Sequence, residues 1–358
     1  MTSMLRRRAL PGALLAVLAG SSAGWAMTYH LAVDVPAHLG SVDATPTQIV
    51  RSHGTVYTLE QETGIPIGAL AQLPDGRWLI APSEPAPGTG GIFFLPRDLV
   101  AVDVTGQVTV YLDGGAAGIP PGTAIDALAA GSSGEIYLSF DVPTTILGQT
   151  FGPSDIVALL GGVFTLLWDA AGEGVPAYAN LVGLDATYAG PLMTFDVPAT
   201  LAATEALPGD LISWEGTNSW VLLSRDPSWP AYARLRDFAL PPPGGSVPDG
   251  QSGSVPLTVM PAGGGMLLLS WGDSCSPGDT DYEVYEGIIG SFTTPAPILC
   301  TTDGLTSVAI APRSVNAFYI VVPRNSLVEG SYGTRSDGTQ RPPSPFACLE
   351  QTLALACQ

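Results

Sequence analysis

Six aspartates recur at two places along the chain. Asp34, Asp141 and Asp196 each follow an apolar residue and precede a Val-Pro pair. Asp155 and Asp210 lie 14 residues beyond the last two of these, and Gln48 holds the same place after Asp34. Asp98 supplies the matching residue of a further copy, in which the earlier phrase has drifted to Ala81-Pro82-Ser83. Carboxylates repeated in register can be carried onto a ring, where several oxygens at about 2.3–2.6 Å would hold a hard cation such as Ca²⁺. The candidate metal ligands are therefore Asp34, Asp141, Asp155, Asp196 and Asp210, with calcium as the possible cofactor. An Asp at a strand end beside a Pro also commonly bonds a turn amide. The turn role is favoured, because Gln48 and Pro82 interrupt the set.

Other polar groups give weaker signals. Asp273, Asp279, Asp281 and Glu283 cluster beside Cys275 but lack the glycine and spacing of an EF-hand, so a solvated acidic loop is expected. His30, His38 and His53 all fall in the first copy of the repeat and have no counterpart in the others. No HExxH helix, phosphate-binding Gly-Lys loop or cysteine close to a histidine occurs, and no catalytic residue is assigned. Trp168, Trp214, Trp220 and Trp229 would suit a sugar- or peptide-binding face, but packing between sheets accounts for them as well and is favoured.

The elements that must position these residues follow from a repeat. Gly64-Ile65-Pro66, Gly118-Ile119-Pro120, Gly174-Val175-Pro176 and the degenerate Ser228-Trp229-Pro230 are spaced by 54, 56 and 54 residues. Self-similarity at such a period marks a repeat architecture. The clearest copy reads as four short strands, 124–129, 135–141, 155–160 and 163–169, with Gly161-Gly162 as a hairpin turn. The first copy begins at its second strand, Tyr29 to Asp34, and so lacks its first. Ala231-Tyr232-Ala233-Arg234-Leu235 copies the opening of a unit, Ala177-Tyr178-Ala179-Asn180-Leu181, after which the array stops. The strand at about 234–240 is thus the one missing from the first copy, and pairing it there would remove the exposed sheet edges. The expectation is all-β: a four-repeat propeller-like domain over 27–240, closed by its C-terminal strand. A linear stack of four units is the alternative. The array resembles β-propeller repeats of secreted bacterial proteins, a likeness that implies no particular activity.

Composition sets limits on function. The 358 residues include 32 acids and 13 arginines but no lysine, for a formal charge of −19. Such a chain repels phosphate backbones, which excludes non-specific nucleic-acid binding. Arg6-Arg7-Arg8, the apolar run 9–20 and the small residues up to Ala26 have the parts of a signal peptide, and 9–20 is too short to span a bilayer. Its removal leaves −22. No later run is long enough for a transmembrane helix, so a secreted or cell-surface location is expected, the periplasm included. The four cysteines, Cys275, Cys300, Cys348 and Cys357, read as two disulfides in such a compartment. Pairing of sequence neighbours, Cys275 with Cys300 and Cys348 with Cys357, is favoured.

Residues 241–254 are rich in Pro, Gly and Ser and read as a flexible linker. Beyond them, Leu269-Ser270-Trp271, Asp281 to Gly287 and Phe318 to Pro323 resemble the second, third and later core strands of a fibronectin type III domain. The resemblance covers 255–345 and implies a fibronectin-type β-sandwich that acts as a spacer or adhesive unit, with 346–358 as a cysteine-bearing tail. The functional expectation is a non-enzymatic binding or adhesion protein whose partner is an extracellular protein or glycan. The alternative is an extracellular propeller hydrolase or lyase that uses clustered carboxylates, with calcium as a possible aid.

Overall fold

Short apolar runs punctuated by Gly and Pro fold here into small antiparallel sheets, and no helix occurs among the described residues. The computed structural model describes residues 28–353 except 54–55, 89–90, 132–134, 186–189, 218, 226–228, 231, 242–243, 249–254, 277, 326–327 and 336–337. The expected leader at 1–26 and Cys357 lie outside the described residues.

Four four-stranded sheets form propeller-like blades. The third, in spatial order, comprises Ile125–Ala130, Ile136–Phe140, Ile156–Leu160 and Val163–Trp168, close to the strands read from the sequence. Gly161 and Gly162, with φ of 59° and 82°, make the tight turn that pairs Leu160 with Val163. Both central residues need a positive φ for the strands to keep their twist. The second sheet runs Ile67–Gln72, Trp78–Pro82, Leu99–Val102, Val108–Leu112, and the fourth Leu181–Asp185, Leu192–Phe195, Leu211–Gly216, Ser219–Ser224. In the first sheet, Thr28–Val33, Gln48–His53 and Val56–Glu62 take their innermost strand from the end of the array, Leu235–Ala239. That pairing sets His30 opposite Ala239 and Leu31 opposite Phe238. Each unit also carries a two-stranded ribbon between its second and third strands, such as Thr144–Ile146 with Gln149–Phe151. The ribbons are too short to register as strands in the sequence.

The four innermost strands, Leu235–Ala239, Ile67–Gln72, Ile125–Ala130 and Leu181–Asp185, pack against one another. They are buried on both faces, whereas outer strands such as Val56–Glu62 are largely exposed. This explains why inner strands are continuous apolar runs while outer ones are mixed. Each innermost strand has a bulge near its start, so Gly68, Asp126, Val182 and Arg236 stand unpaired at equivalent places.

The C-terminal module has a three-stranded sheet, Thr258–Gly263, Met266–Ser270 and Ser307–Ile310. A five-stranded sheet runs in the order Ser291–Leu299, Asp281–Ile288, Ala317–Arg324, Val328–Glu329, Glu350–Gln351. Leu269, Trp271, Tyr282, Val284, Ile310 and Val321 form the core between them, with the Trp271 and Tyr282 rings edge-on at 5.6 Å.

Three details depart from the sequence expectation. Cys300 is bonded to Cys348, so neither pairing of sequence neighbours exists. Cys275 is also disulfide-bonded. The pairing is set by the five-stranded sheet, which brings Cys300, at the end of the Ser291–Leu299 strand, beside Cys348, 48 residues away in sequence. The stretch expected as a tail is part of the sheet, since Glu350–Gln351 pairs in parallel with Val328–Glu329. The described part of the expected linker is likewise held: Gly244 N donates to Thr352 O at 2.8 Å, and Ser331 N to Gly245 O at 2.8 Å. A Cβ on either glycine would collide with Gly330 or Ser274, so Gly there serves close approach rather than flexibility.

Candidate functional site

The register aspartates sit at equivalent places and are engaged by backbone. Asp34, Asp141 and Asp196 end the second strand of their units. Each accepts a bond from the amide just ahead of the innermost strand: Arg234 N at 2.7 Å, Ala124 N at 2.7 Å and Asn180 N at 3.0 Å. Each returns its own N–H to the carbonyl of that same residue. In the second unit Ser83 N bonds Pro66 O without a carboxylate. Asp98 and Asp155 close a turn, accepting from Leu95 N at 2.8 Å and Gly152 N at 2.7 Å. Their other oxygens reach the end of the fourth strand, at Gly114 N and Ala170 N. Asp210 makes the same turn bond to Leu207 N and pairs with Arg225 at 2.6 Å. Gln48 imitates them through Thr45 N at 3.0 Å. Each of these side chains therefore serves its own blade. Among the described residues no group of three or more His, Cys, Asp or Glu is placed to hold a metal.

The inner strands hold carboxylates that the repeat analysis passed over. Asp237, fully buried, accepts four backbone N–H groups: Leu70 at 2.7 Å and Leu128 at 2.9 Å on Oδ2, Leu184 at 3.0 Å and its own neighbour Phe238 at 2.7 Å on Oδ1. One side chain thus ties the innermost strands of all four sheets. Burial pushes its carboxyl well above the usual range, against the opposing pull of the four amides. All four contacts are donors, so the carboxylate is the form that satisfies them. Asp126 bonds Asn180 Nδ2 at 2.6 Å and is pushed well up by burial, with Asp141 adding to the effect. Asp185 accepts Leu240 N at 2.9 Å. The signal for these residues was a break in repeat symmetry, since Asp237 stands where the other inner strands have Ala69, Ala127 and Gly183.

An open concavity lies between the second and third sheets. It encloses about 230 Å³ and is lined by Leu73, Asp75, Arg77, Tyr111, Gly131 and Glu135 among others. Arg77 grips Asp75 through Nε at 2.9 Å and Nη2 at 2.6 Å, which holds the Asp75 carboxyl below the usual range. The pair hangs on the turn Pro74 to Gly76, and Gly76 has φ of 85°. Tyr111 lies on an outer strand with its ring partly exposed, and Glu135 opens the next unit's second strand. A Cβ at Gly131 would stand 2.8 Å from Glu135 Oε2, so glycine there leaves room for the carboxylate. One planar ring, one guanidinium and two carboxylates thus face a space smaller than the ~300–1,000 Å³ of ordinary ligand pockets.

The remaining candidates are placed as follows. Trp168 contacts Trp214 and Trp220 edge-on at 6.0 and 5.9 Å, and Trp168 and Trp220 are buried. Trp229 donates to Ala233 O at 2.8 Å. The Trp168 contacts therefore join the third sheet to the fourth. His30 is buried against Trp78 at 4.7 Å, while His38 bonds Asp43 and His53 bonds Thr28, so the three are dispersed. The acidic stretch expected to be solvated is so only in part: Asp273 is exposed, Asp279 and Asp281 are half-buried, and Glu283 is internal. Asp279 accepts Gly245 N, Asp281 accepts the amides of Tyr282, Thr302 and Gly304, and Glu283 is fully buried.

No protein-family model matches the chain, and no curated protein matches it. Solved structures show weak likenesses. The one described as "YCF48 bound to D1 peptide" is 10% identical with a TM-score of 0.27, over 64% of this chain and 56% of that one. The extracellular domain of the hybrid two component system BT3049 from B. thetaiotaomicron is 10% identical with a TM-score of 0.23, over 82% and 42%. The FN1-FN3 domains of chicken CNTN1 are 8% identical with a TM-score of 0.20, over 90% and 88%. The chain spans about half the length of the first two. No helix among the described residues is long and apolar enough to cross a membrane.

Proposed function

We propose that this is a secreted, non-enzymatic recognition protein that binds a glycan in the cleft between its second and third blades. In this reading the four sheets are a closed ring, sealed by the pairing of Leu235–Ala239 with Thr28–Val33, and the fibronectin-type sandwich is a rigid spacer. The observation that carries the binding reading is the cleft: Tyr111, Arg77 and Glu135 converge on a space of about 230 Å³. A sugar ring offers an apolar face to an aromatic side chain and hydroxyl pairs to carboxylate and guanidinium, the combination present there. The small volume suits one terminal sugar, with the rest of the glycan in solvent. Disulfide bonding of Cys275, Cys300 and Cys348 fits an oxidising compartment.

A glycan array followed by calorimetry on the mature chain tests the reading. A bound glycan should lose at least tenfold in affinity with Tyr111→Ala, and Arg77→Ala should act similarly, while circular dichroism stays unchanged. Failure of every glycan to bind, or a Tyr111→Ala variant that binds as well as the parent, would sink it.

A further inference from the structure

In the second module a tyrosine lies between two buried glutamates. Tyr285 Oη stands 2.6 Å from Glu283 Oε2 and 2.8 Å from Glu329 Oε2, and it accepts the Cys348 N–H at 3.0 Å. All three residues are fully buried. Each short oxygen–oxygen contact needs a proton, and the phenol owns one. The second must sit on a carboxyl. With it, the phenol donates to one glutamate and accepts from the other, its remaining lone pair taking the Cys348 N–H, so all three contacts are made. Without it, one short contact sets two lone pairs against each other in a dry interior.

The charges around this group fit one proton rather than none. Arg324 Nη1 lies 3.6 Å from Glu283 Oε1, and its Nε is shared with Asp281 at 3.9 Å. The Tyr332 ring packs on Tyr285 at 4.9 Å, and burial pushes its phenol up, so it adds no charge. From the Asp281–Ile288 strand the facing groups are Asp281, Glu283 and Tyr285, and from the Ala317–Arg324 strand Arg324. Glu329 faces the group from its own strand, and Cys348 is held in a disulfide. One cation thus faces Asp281 and the two glutamates.

Three attachments meet at this place. The Val328–Glu329 backbone carries Glu350–Gln351 in parallel pairing, and Thr352 N donates to Glu329 O at 3.0 Å. Gly244 N bonds Thr352 O, and Gly245 O accepts Ser331 N, so the segment between the modules rests on the same strap. Cys348 holds the strap's near end through its N–H on Tyr285 and its bond to Cys300.

We propose that Glu283, Tyr285 and Glu329 form a proton-binding site whose one added proton locks the C-terminal strap, and with it the inter-module segment, onto the sandwich. Undocking exposes the carboxyls and releases the proton, so the lock weakens as pH rises. Burial, with Glu329 as the next cause, pushes the Glu283 carboxyl up to about 8. The sign follows from linkage: the docked state binds one proton more than the undocked state between the ordinary glutamate range, near 4.5, and about 8. Across that window the opening constant rises about tenfold per pH unit, and above it the constant levels off. The Cys300–Cys348 bond keeps the released strap tethered.

Amide hydrogen exchange of the full chain tests this at Cys348 and Thr352, corrected for intrinsic rates across pH 5–9. The parent should lose protection about tenfold per unit up to about 8 and then plateau. Glu283→Gln carries N–H donors at every pH, so its protection should be flat over the same range. Parent protection that is flat, or a variant that follows the parent's slope, overturns the proposal. Should Glu283→Gln fail to fold, infrared spectroscopy of the parent decides. The C=O stretch of a buried protonated carboxyl should be present at pH 6 and lost above pH 9. Its absence at pH 6 overturns the proposal.

Discussion

Replacing Asp237 with Asn is the sharpest probe of the first domain, because the side chains are nearly identical in shape and only the donor–acceptor pattern changes. The carboxylate accepts two N–H groups on each oxygen, from Leu70, Leu128, Leu184 and Phe238. Asn keeps one accepting oxygen and turns an NH₂ toward the other two amides. Two bonds to a charged group are lost, each contributing about 1.5–3 kcal/mol, so the first domain should lose about 3–6 kcal/mol. That is a large part of the ~5–15 kcal/mol available to a typical domain. Urea unfolding followed by tryptophan fluorescence measures it, since Trp78, Trp168, Trp214, Trp220 and Trp229 lie in the four-sheet domain and Trp271 in the second module. Amide exchange at Leu70, Leu128 and Leu184 should speed up together. Asp237→Ala restores the residue found at two equivalent positions but leaves four converging N–H groups without an acceptor. A small anion such as chloride or formate should then stabilise it, by about 2.7 kcal/mol at a hundred times its Kd. An Asn variant within about 1 kcal/mol of the parent would refute the idea that this carboxylate joins the four sheets.

Three further outcomes are expected. Burial, with Arg51 adding to it, lowers the His30 pKa to about 3 from 6.5, so only the unfolded chain takes a proton between those values. Stability present above 6.5 should be lost as pH falls, with the unfolding constant rising about tenfold per unit, and His30→Phe should flatten that acid limb in melts. Cys348→Ser opens a loop of 48 residues and should cost about 4 kcal/mol in the second module, measured by urea denaturation under oxidising conditions. Millimolar Ca²⁺ should leave the melting temperature unchanged, because the register carboxylates are already bonded to amides and Arg225; a rise of several degrees would reveal convergent oxygens.

Asp155 illustrates what was legible in the chain. Its place ahead of an apolar run and after Gly152-Pro153 announced a turn, and turn bonds at Gly152 and Ala170 are what it makes. The cleft was not legible, because Arg77 and Glu135 lie 58 residues apart and their neighbours suggest only exposed turns. Tyr111 looked like any aromatic residue in a strand. The tryptophans were expected to pack between sheets, as Trp168 does against Trp214 and Trp220, although aromatic residues enrich cores and binding faces alike and only burial separates the two.

By itself the sequence determined the periodic elements: strands of a few residues, their Gly and Pro punctuation, and a last strand that completes the first unit. These are local or repeated properties, and repetition makes them readable without any contact. Tertiary structure alone decided what meets at long range. It brought Asp237 to the amides of three other sheets, Cys300 to Cys348, and two glutamates 46 residues apart to one phenol. The physical reason is that a carboxylate's proton affinity and bonding depend on burial and on partners from other strands, which no pattern along one strand encodes.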